Sequence, residues 1–354
     1  MSRTQQFVSD WQSSPASSIV DLLDLSGKTM DQLVSNVGIG VLDIVKEDAA
    51  FDHGMASALA EFLGGSAQFW LRRDQIFQEQ RGLPDLPDEK EWVRSLPYAE
   101  MARFGWLPST RSAEEKIEHS LDFFECDNLR EWQQKYESTI AGVAFRTTFS
   151  FENDAAATLA WLRKGEQIAA IRDLPEFDAD SLLENVDGIK ALCRRANPGD
   201  FLPKLESILA ESGVGFAVVR APKGCRASGA TRIVENNRAI LQLSFRHLSD
   251  DHFWFTLFHE IGHLVLHRET KMFLEGNFVD SDEFESEANS FASDVLVPME
   301  YRPLLAKVKI SAKPLIALAY KLGISPGILV GQMQHAEQIH PSKMNFLKRR
   351  YKWN

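Results

Sequence analysis

Apolar residues recur every three or four positions through most of the chain, which is the spacing that places them on one face of an α-helix. Short helices, some of them separated by glycine, are predicted at Pro15–Leu25, from Thr29 onward, and at Ile39–Asp48, Met55–Leu63 and Ser66–Asp74. Leu83–Asp88 contains prolines and predicts a linker. Further helices are predicted beyond it, at about 89–106, 110–125, 127–141, 153–171, 178–196 and 201–213.

Beyond these helices the pattern changes to the alternation that is typical of β-strands. Val214–Arg220 predicts one strand, and Thr231–Val234 with Ala239–Arg246 predicts a hairpin. The Asn236-Asn237 pair between the two hairpin strands tolerates the positive φ that such a turn requires. A small sheet is therefore expected here, and the edge of a sheet can pair with an extended peptide.

An apolar run of helical length follows, from His252 to His267, and it contains H-E-x-x-H at His259, Glu260 and His263. At about 100° per residue, the two motif histidines lie one turn apart on the same helix face, so both imidazoles can bind one zinc ion. Glu260 is then expected to act as the catalytic base. Because the surrounding positions are almost all apolar, the helix is predicted to be buried, which argues against a chance motif on an exposed helix.

A catalytic zinc site takes a third protein ligand and leaves one position for water. The metzincin pattern would place a histidine six residues after His263, but Glu269 stands there. His267 lies one further turn along the helix, and histidines on three consecutive turns span about 12 Å, which is too long for one ion. We therefore expect His267 to form a hydrogen bond or part of a pocket wall.

The third ligand is predicted from Phe284–Pro298, a helix that Pro298 ends. Glu285 and Asn289 are neighbours at i and i+4, so Glu285 can reach the metal while Asn289 orients an imidazole. Glu287 is rotated about 200° from Glu285 and is not expected to bind the metal. The alternative for Glu285 is a solvated carboxylate at the start of a helix, favoured by the helix dipole.

Composition and charge restrict the class of protein. The chain has 354 residues, which suggests two or three domains, and its hydrophobic fraction of 44% is that of a globular protein. The net charge of −11 gives no general attraction to nucleic acid or to an anionic membrane. The three cysteines are Cys126, Cys193 and Cys225. Their odd number and wide spacing are typical of reduced thiols in a cytosolic protein. No signal peptide or membrane span is predicted, so we expect a cytoplasmic protein.

The metal motif and the segment after it resemble the ImmA/IrrE family of metallopeptidases. The resemblance is carried by His259–His267, Glu285–Ala292 and Val297-Pro298, and it continues through Gly323–His335 and Phe346–Trp353. It implies zinc as the cofactor, with His259, His263 and Glu285 as ligands and Glu260 as the base. Members of the family are regulatory proteases that act on repressors or partner proteins in mobile-element, toxin–antitoxin and stress systems.

Leu59–Leu71 resembles the end of the HigA-type antitoxin helix-turn-helix domain. The segment where DNA recognition would occur, Ile39–Asp48, carries three acidic residues against Lys46. Residues 1–82 hold 6 Lys+Arg and 11 Asp+Glu, a net charge of −5. A DNA-binding domain normally presents several cations to phosphates, so DNA binding is not favoured over protein contacts or homodimerisation through this domain.

Together these observations predict an α+β, predominantly helical protein. We expect a HigA/XRE-like helix-turn-helix domain at 1–82, a helical connecting domain at 83–200, and a zincin-like metallopeptidase domain with a small sheet at 201–354. The predicted function is zinc-dependent cleavage of a protein, such as a repressor, an antitoxin or the product of an adjacent gene, in a toxin–antitoxin, mobile-element or phage-defence system. The alternative is an antitoxin or transcriptional regulator that binds a partner or operator DNA with little or no proteolysis.

Overall fold

The computed structural model divides the chain into two compact units, residues 1–86 and 87–354. It describes residues 14–47, 49, 52–80, 88–136, 151–170, 173–234, 237–268, 272–274 and 282–353. Most of the predicted linker, the end of the helix predicted at 127–141, and Asn236 lie outside the described residues.

The first unit is helical, and its helices lie close to the predicted positions. They are α1 (Pro15–Ser26), α2 (Met30–Val37), α3 (Val41–Glu47), α4 (His53–Leu63) and α5 (Ala67–Gln80). Thr29 caps α2 through a reciprocal pair of hydrogen bonds with Gln32, as its position before the helix predicts. Ile19, Leu59 and Trp70 are among the fully buried residues at the centre of the unit. The assignment of this unit as a helix-turn-helix domain stays a prediction.

The second unit begins with a series of helices. They are α6 (Glu89–Ser95), α7 (Tyr98–Arg103), α8 (Ala113–Phe124), α9 (Phe151–Ala169), α10 (Ala179–Glu184), α11 (Val186–Ala191) and α12 (Pro198–Glu211), with a further helical stretch at 129–136. The predicted continuous helix at 89–106 is interrupted at Leu96, whose backbone is extended (φ −74°, ψ 145°). Pro97 causes the break, because proline disfavours helical geometry in the residue before it.

Among the described residues, four short strands form one sheet in the order β1-β3-β2-β4. They are β1 (Val214–Val218), β2 (Gly229–Val234), β3 (Arg238–Leu243) and β4 (Met272–Leu274). β2 and β3 form the predicted antiparallel hairpin, with Asn237 at φ 49°, and β1 runs parallel to β3. β3 ends before the predicted Arg246, because Phe245 has φ 52°, in the left-handed region that a strand cannot contain. β4 pairs with β2 and was not predicted.

Helix α9, from the region predicted as a connecting domain, packs on one face of the sheet. Its Trp161 Nε1–H donates to the carbonyl oxygen of Val219 (2.9 Å), and Gln242 Nε2–H donates to the carbonyl oxygen of Trp161 (2.7 Å). Gly165 permits this close approach, since a Cβ there would lie 1.8 Å from Gln242 Oε1. The domain boundary at residue 200 stays a prediction. In the structure, α9 lies before that boundary and packs on one of the two faces of the sheet.

The H-E-x-x-H helix, α13 (Asp250–Leu266), packs on the opposite face of the sheet. It is followed by α14 (Asp282–Leu296), α15 (Arg302–Leu305), α16 (Ala312–Leu322) and α17 (Pro326–His335). Residues near the carboxyl terminus hold the start of α13: the buried Asp250 side chain accepts hydrogen bonds from Ser325 Oγ (2.6 Å) and from Arg349 N (2.9 Å). Within the described residues no single helix has the length and apolar character to cross a membrane, and α16 with α17 reaches those limits only as a pair bent by 100°.

Candidate metal centre

Three side chains that the sequence singles out come together between α13 and α14. His259 Nε2 and His263 Nε2 lie 3.0 Å apart, at 3.4 Å and 3.5 Å from the carboxylate oxygens of Glu285. The ligand atoms of the three residues all lie within 4.8 Å of one another. Both histidines are buried and Glu285 is partly buried, so the group forms a half-enclosed cluster of potential metal ligands.

Asn289 orients the first histidine. His259 Nδ1 lies 3.0 Å from Asn289 Oδ1, an oxygen that can only accept a hydrogen bond. His259 Nδ1 must therefore carry the proton, and in the neutral ring the lone pair is on Nε2, which faces Glu285 and His263. This contact is the one that the i,i+4 spacing of Glu285 and Asn289 suggests.

A chain of hydrogen bonds orients the second histidine. His267 Nε2 lies 2.8 Å from the Glu287 carboxylate, and His267 Nδ1 lies 3.1 Å from His263 Nδ1. An ionised carboxylate only accepts, so His267 Nε2–H donates to Glu287 and leaves His267 Nδ1 as the acceptor. The proton of His263 is then on Nδ1, which directs its Nε2 lone pair toward Glu285. His267 also stacks on Phe284, with ring centroids 4.4 Å apart.

The electrostatics of the cluster favour the protonation states that a metal requires. Burial lowers the pKa of His263, which favours its neutral form. Burial raises the pKa of Glu285, but in the absence of a metal, protons on His259 and His263 Nε2 outweigh this effect and lower the pKa to about 2. A cation in place of those protons favours the ionised carboxylate for the same electrostatic reason. A neutral imidazole and an ionised carboxylate are the forms that coordinate a cation.

The residues present fit a divalent metal. Two imidazole lone pairs and an ionised carboxylate converge with their protons directed away, so only a cation satisfies all three groups at once. Ligand atoms about 2.0–2.1 Å from a tetrahedral ion are separated by roughly 3.3 Å, close to the separations of these atoms. Nitrogen and carboxylate donors in this combination suit zinc.

Glu260 is fully buried beside the cluster and packs against the start of strand β2. Gly229 is the residue that it contacts there: a Cβ at this position would lie 2.3 Å from Glu260 Oε1 and 2.8 Å from its Cδ. Gly229 thus gives the Glu260 carboxylate the space that it occupies. Nothing in the sequence near Gly229 indicates this role, because 31 positions separate it from Glu260.

We expect Gly229→Ala to lower any activity that depends on Glu260 by about 10²-fold, since a displacement of about 1 Å in a catalytic group costs that much. Metal binding should remain, because the three ligands are not touched. Turnover and metal content measured on the same preparation check this expectation. The control is Gly188→Ala, because a Cβ at Gly188 meets nothing within 4 Å. Full activity in Gly229→Ala would show that the Glu260 position tolerates displacement.

We expect His267→Phe to weaken metal affinity by about 10–100-fold, the usual cost of removing a group that orients a ligand. Phenylalanine keeps a ring against Phe284 but cannot accept the His263 Nδ1 proton. Affinity is measured by competition with a chromophoric chelator. His340→Phe is the control, because His340 is exposed and its ring hydrogen-bonds with Ser342, on a different segment from the three candidate ligands. An unchanged affinity in His267→Phe would contradict the role of this hydrogen-bond chain.

A cavity of about 550 Å³ opens beside the cluster, with Glu285 and Asn289 in its wall. The other lining residues come from α14, α17, the segment between them and the residues just after α17. Most have polar side chains, and these include Ser286, Ser290, Ser293, Arg302, Gln332 and His335. A volume of this size accommodates a few residues of an extended peptide, and polar walls can pair with its backbone. No spacing or motif in the sequence indicates this wall or the roles of Gly229 and Glu287, whereas the hydrogen-bonding role of His267 follows from its position on the helix.

The segment that carries this site is similar to a known peptidase family. No curated protein matches the chain. Residues 215–330, about a third of the chain, match the family model described as the IrrE N-terminal-like domain, Peptidase_M78. The matched segment starts in β1 and ends in α17, so it contains the whole of α13 and α14. The match supports the predicted ImmA/IrrE resemblance, and this segment of the chain is similar to the IrrE N-terminal-like metallopeptidase domain.

Proposed function

We propose that the protein is a zinc-dependent metalloendopeptidase that cleaves another protein. The observation that carries this proposal is the convergence of the His259 and His263 Nε2 atoms and the Glu285 carboxylate within 4.8 Å, on a segment that matches a peptidase family. Zinc is proposed as the ion because two imidazoles with one carboxylate are a ligand set of zinc peptidases.

The residues around the ion have distinct roles in this proposal. A bound zinc ion supplies Lewis-acid chemistry, which polarises the scissile carbonyl and makes water more acidic. His259, His263 and Glu285 hold the ion, and Asn289 fixes the tautomer of His259. The Glu260 carboxylate takes the proton of the attacking water and delivers it to the nitrogen of the leaving amine. Gly229 preserves the position of that carboxylate.

The substrate is proposed to be a folded regulatory protein in the same cell. A repressor, an antitoxin or the product of an adjacent gene fits the resemblance to ImmA/IrrE proteases. The polar cavity beside Glu285 supports an extended peptide as the bound form, because Ser, Asn and Gln side chains can pair with backbone amides. The toxin–antitoxin, mobile-element or phage-defence system and the cytoplasmic location are parts of the same proposal.

The test compares the new protein N-termini in cells that express the wild-type protein or Glu260→Gln at equal levels. We expect a small set of cleaved proteins that is present with the wild type and absent with the variant. The purified wild type should reproduce those cleavages in vitro, lose them with a chelator and recover them with added zinc. Identical sets of N-termini in the two strains would contradict the proposal.

The second candidate function is a regulator that acts by binding, with the N-terminal unit forming a homodimer or a partner contact. We expect the full-length protein not to bind duplex DNA above the nonspecific level, a Kd of about 10⁻⁴–10⁻⁶ M at physiological salt. On α3, Asp43 and Lys46 are both exposed, so the described surface of this helix presents an acidic as well as a basic side chain, and residues 1–82 carry a net charge of −5. A gel shift with the DNA upstream of the protein's own gene checks this expectation. Sequence-specific binding at nanomolar concentration would favour the DNA-binding alternative.

A further inference from the structure

A second cavity of about 550 Å³ lies in the helical part of the second unit that precedes the sheet. Helices α6 and α7 form much of its wall, with residues around the start of α8 and the turn at Lys223 completing it. Five of its lining residues are cations, and we call it the basic cavity: Lys90, Arg94, Arg111, Lys116 and Lys223.

Lys90 has a charge interaction with Glu114, but none of the five cations forms an ion pair within the described part of the chain. Lys116 contacts the Tyr98 ring, 5.5 Å from its centroid. Of the described lining residues, only Glu100 carries a carboxylate, and it already pairs with Arg103 (2.5 Å) and accepts from the Lys223 backbone N–H.

Glu89 and Glu91 flank Lys90 in the chain but are not among the lining residues, and two carboxylates at the start of α8 accept other hydrogen bonds. Glu114 accepts from Ser112 Oγ (2.8 Å), and Glu115 accepts from Thr110 Oγ1. Five like charges around one concavity repel one another. The chain has a net charge of −11, so carboxylates that could neutralise these cations are common in the sequence. The cavity therefore concentrates positive potential that an anion with several charges would neutralise.

The remaining wall of the basic cavity is apolar. It includes Val93, Leu96 and Tyr98, each at most 7% exposed, together with Pro97. The Tyr98 hydroxyl donates to the carbonyl oxygen of Pro108 (2.8 Å) and lies 2.9 Å from His119 Nδ1, so the ring is held in place. A volume of 300–1,000 Å³, apolar walls and a few convergent charges are typical of small-molecule sites.

We propose that the basic cavity binds a small molecule that carries several phosphate groups on an apolar or aromatic body, of the nucleotide class. The phosphates lie among the five cations, and the body packs on Val93, Leu96 and Pro97. This site is separate from the metal centre, since the two sets of lining residues share no member. The proposal does not depend on peptidase activity.

Calorimetric titration of the full-length protein tests this site, with ATP, tripolyphosphate and adenosine as probes. EDTA is present so that nucleotide-bound metal and the metal centre do not contribute. We expect ATP to bind more tightly than tripolyphosphate, and adenosine to bind weakly. The double variant Lys90→Glu/Arg94→Glu should lower the affinity for ATP at least 10-fold, and the affinity should fall as salt is raised.

The matched control is Lys204→Glu/Lys313→Glu, which changes the net charge by the same amount at exposed positions outside the cavity. Lys90→Gln/Arg94→Gln repeats the test without new negative charge, and thermal melting shows whether each variant is folded. No ATP binding to the wild type, or an equal loss in the control, would overturn the proposal. Equal affinities for ATP and tripolyphosphate would overturn the role of the apolar wall. Tighter binding of an oligonucleotide through the same residues would reassign the cavity to nucleic acid.

Discussion

Replacing Glu260 with glutamine is expected to lower the rate of peptide-bond hydrolysis by about 10²–10⁴-fold, the usual contribution of a positioned general base. Glutamine has the size and shape of glutamate, so it fills the same buried space beside Gly229. Its amide cannot accept the proton of the attacking water, and this proton transfer is the step that the substitution removes. The rate is measured on the substrate identified by the comparison of N-termini.

The rest of the protein should be little affected by Glu260→Gln. Because Glu260 is not one of the three metal ligands, zinc content should stay near that of the wild type. Any small change in thermal stability reports the exchange of a buried carboxylate for an amide. A folded, zinc-loaded variant that binds its substrate without cleaving it is the expected result. Full biological activity of this variant in cells would mean that the protein acts by binding and that the proteolytic proposal fails.

Removing a metal ligand is expected to have the second large effect. His259→Ala or His263→Ala should reduce bound zinc from about one equivalent to near zero, because two ligands cannot complete a stable site. Glu285→Ala should weaken affinity by more than about 100-fold, beyond the cost of losing a group that only orients a ligand. Zinc content is measured by elemental analysis after dialysis, and affinity by chelator competition.

The control for Glu285 is Glu283→Ala, which removes an exposed carboxylate from the same helix and should leave zinc affinity unchanged. Glu287→Ala should give an intermediate loss, because Glu287 acts through His267 on the orientation of His263. If Glu285→Ala binds zinc normally while Glu287→Ala does not, the assignment of the third ligand to Glu285 is wrong.

Much of the metal centre could be predicted from local spacing. His259 and His263 are four positions apart, and so are Glu285 and Asn289, so helix geometry alone places each pair on one face. The same reasoning excludes His267 as a third ligand on α13, and in the structure His267 contacts His263 and Glu287 instead. Helix positions were predictable for the same reason, except where Pro97 interrupts the expected helix at 89–106.

Features that depend on the approach of distant segments could not be predicted. Strand β4 has three residues, too few for an alternating pattern, and it is recognisable only from its pairing with β2. The packing of α9 on the sheet depends on Gly165 lying against Gln242, 77 positions later in the chain. The sequence pattern does not indicate which helix packs on the sheet, because many helices could bury the same apolar face.

The sequence by itself therefore determined the residue types of the candidate ligands, their spacing along two helices, and the hairpin that precedes them, since each depends on backbone geometry within a few residues. Only the tertiary structure decided how the two helices meet, so that the Glu285 carboxylate lies 3.4 Å from His259 Nε2. It also decided that Gly229 makes room for Glu260 and that five cations surround one cavity. These arrangements join segments that are far apart in the chain, and the packing of the whole unit, not local conformational preference, brings them into contact.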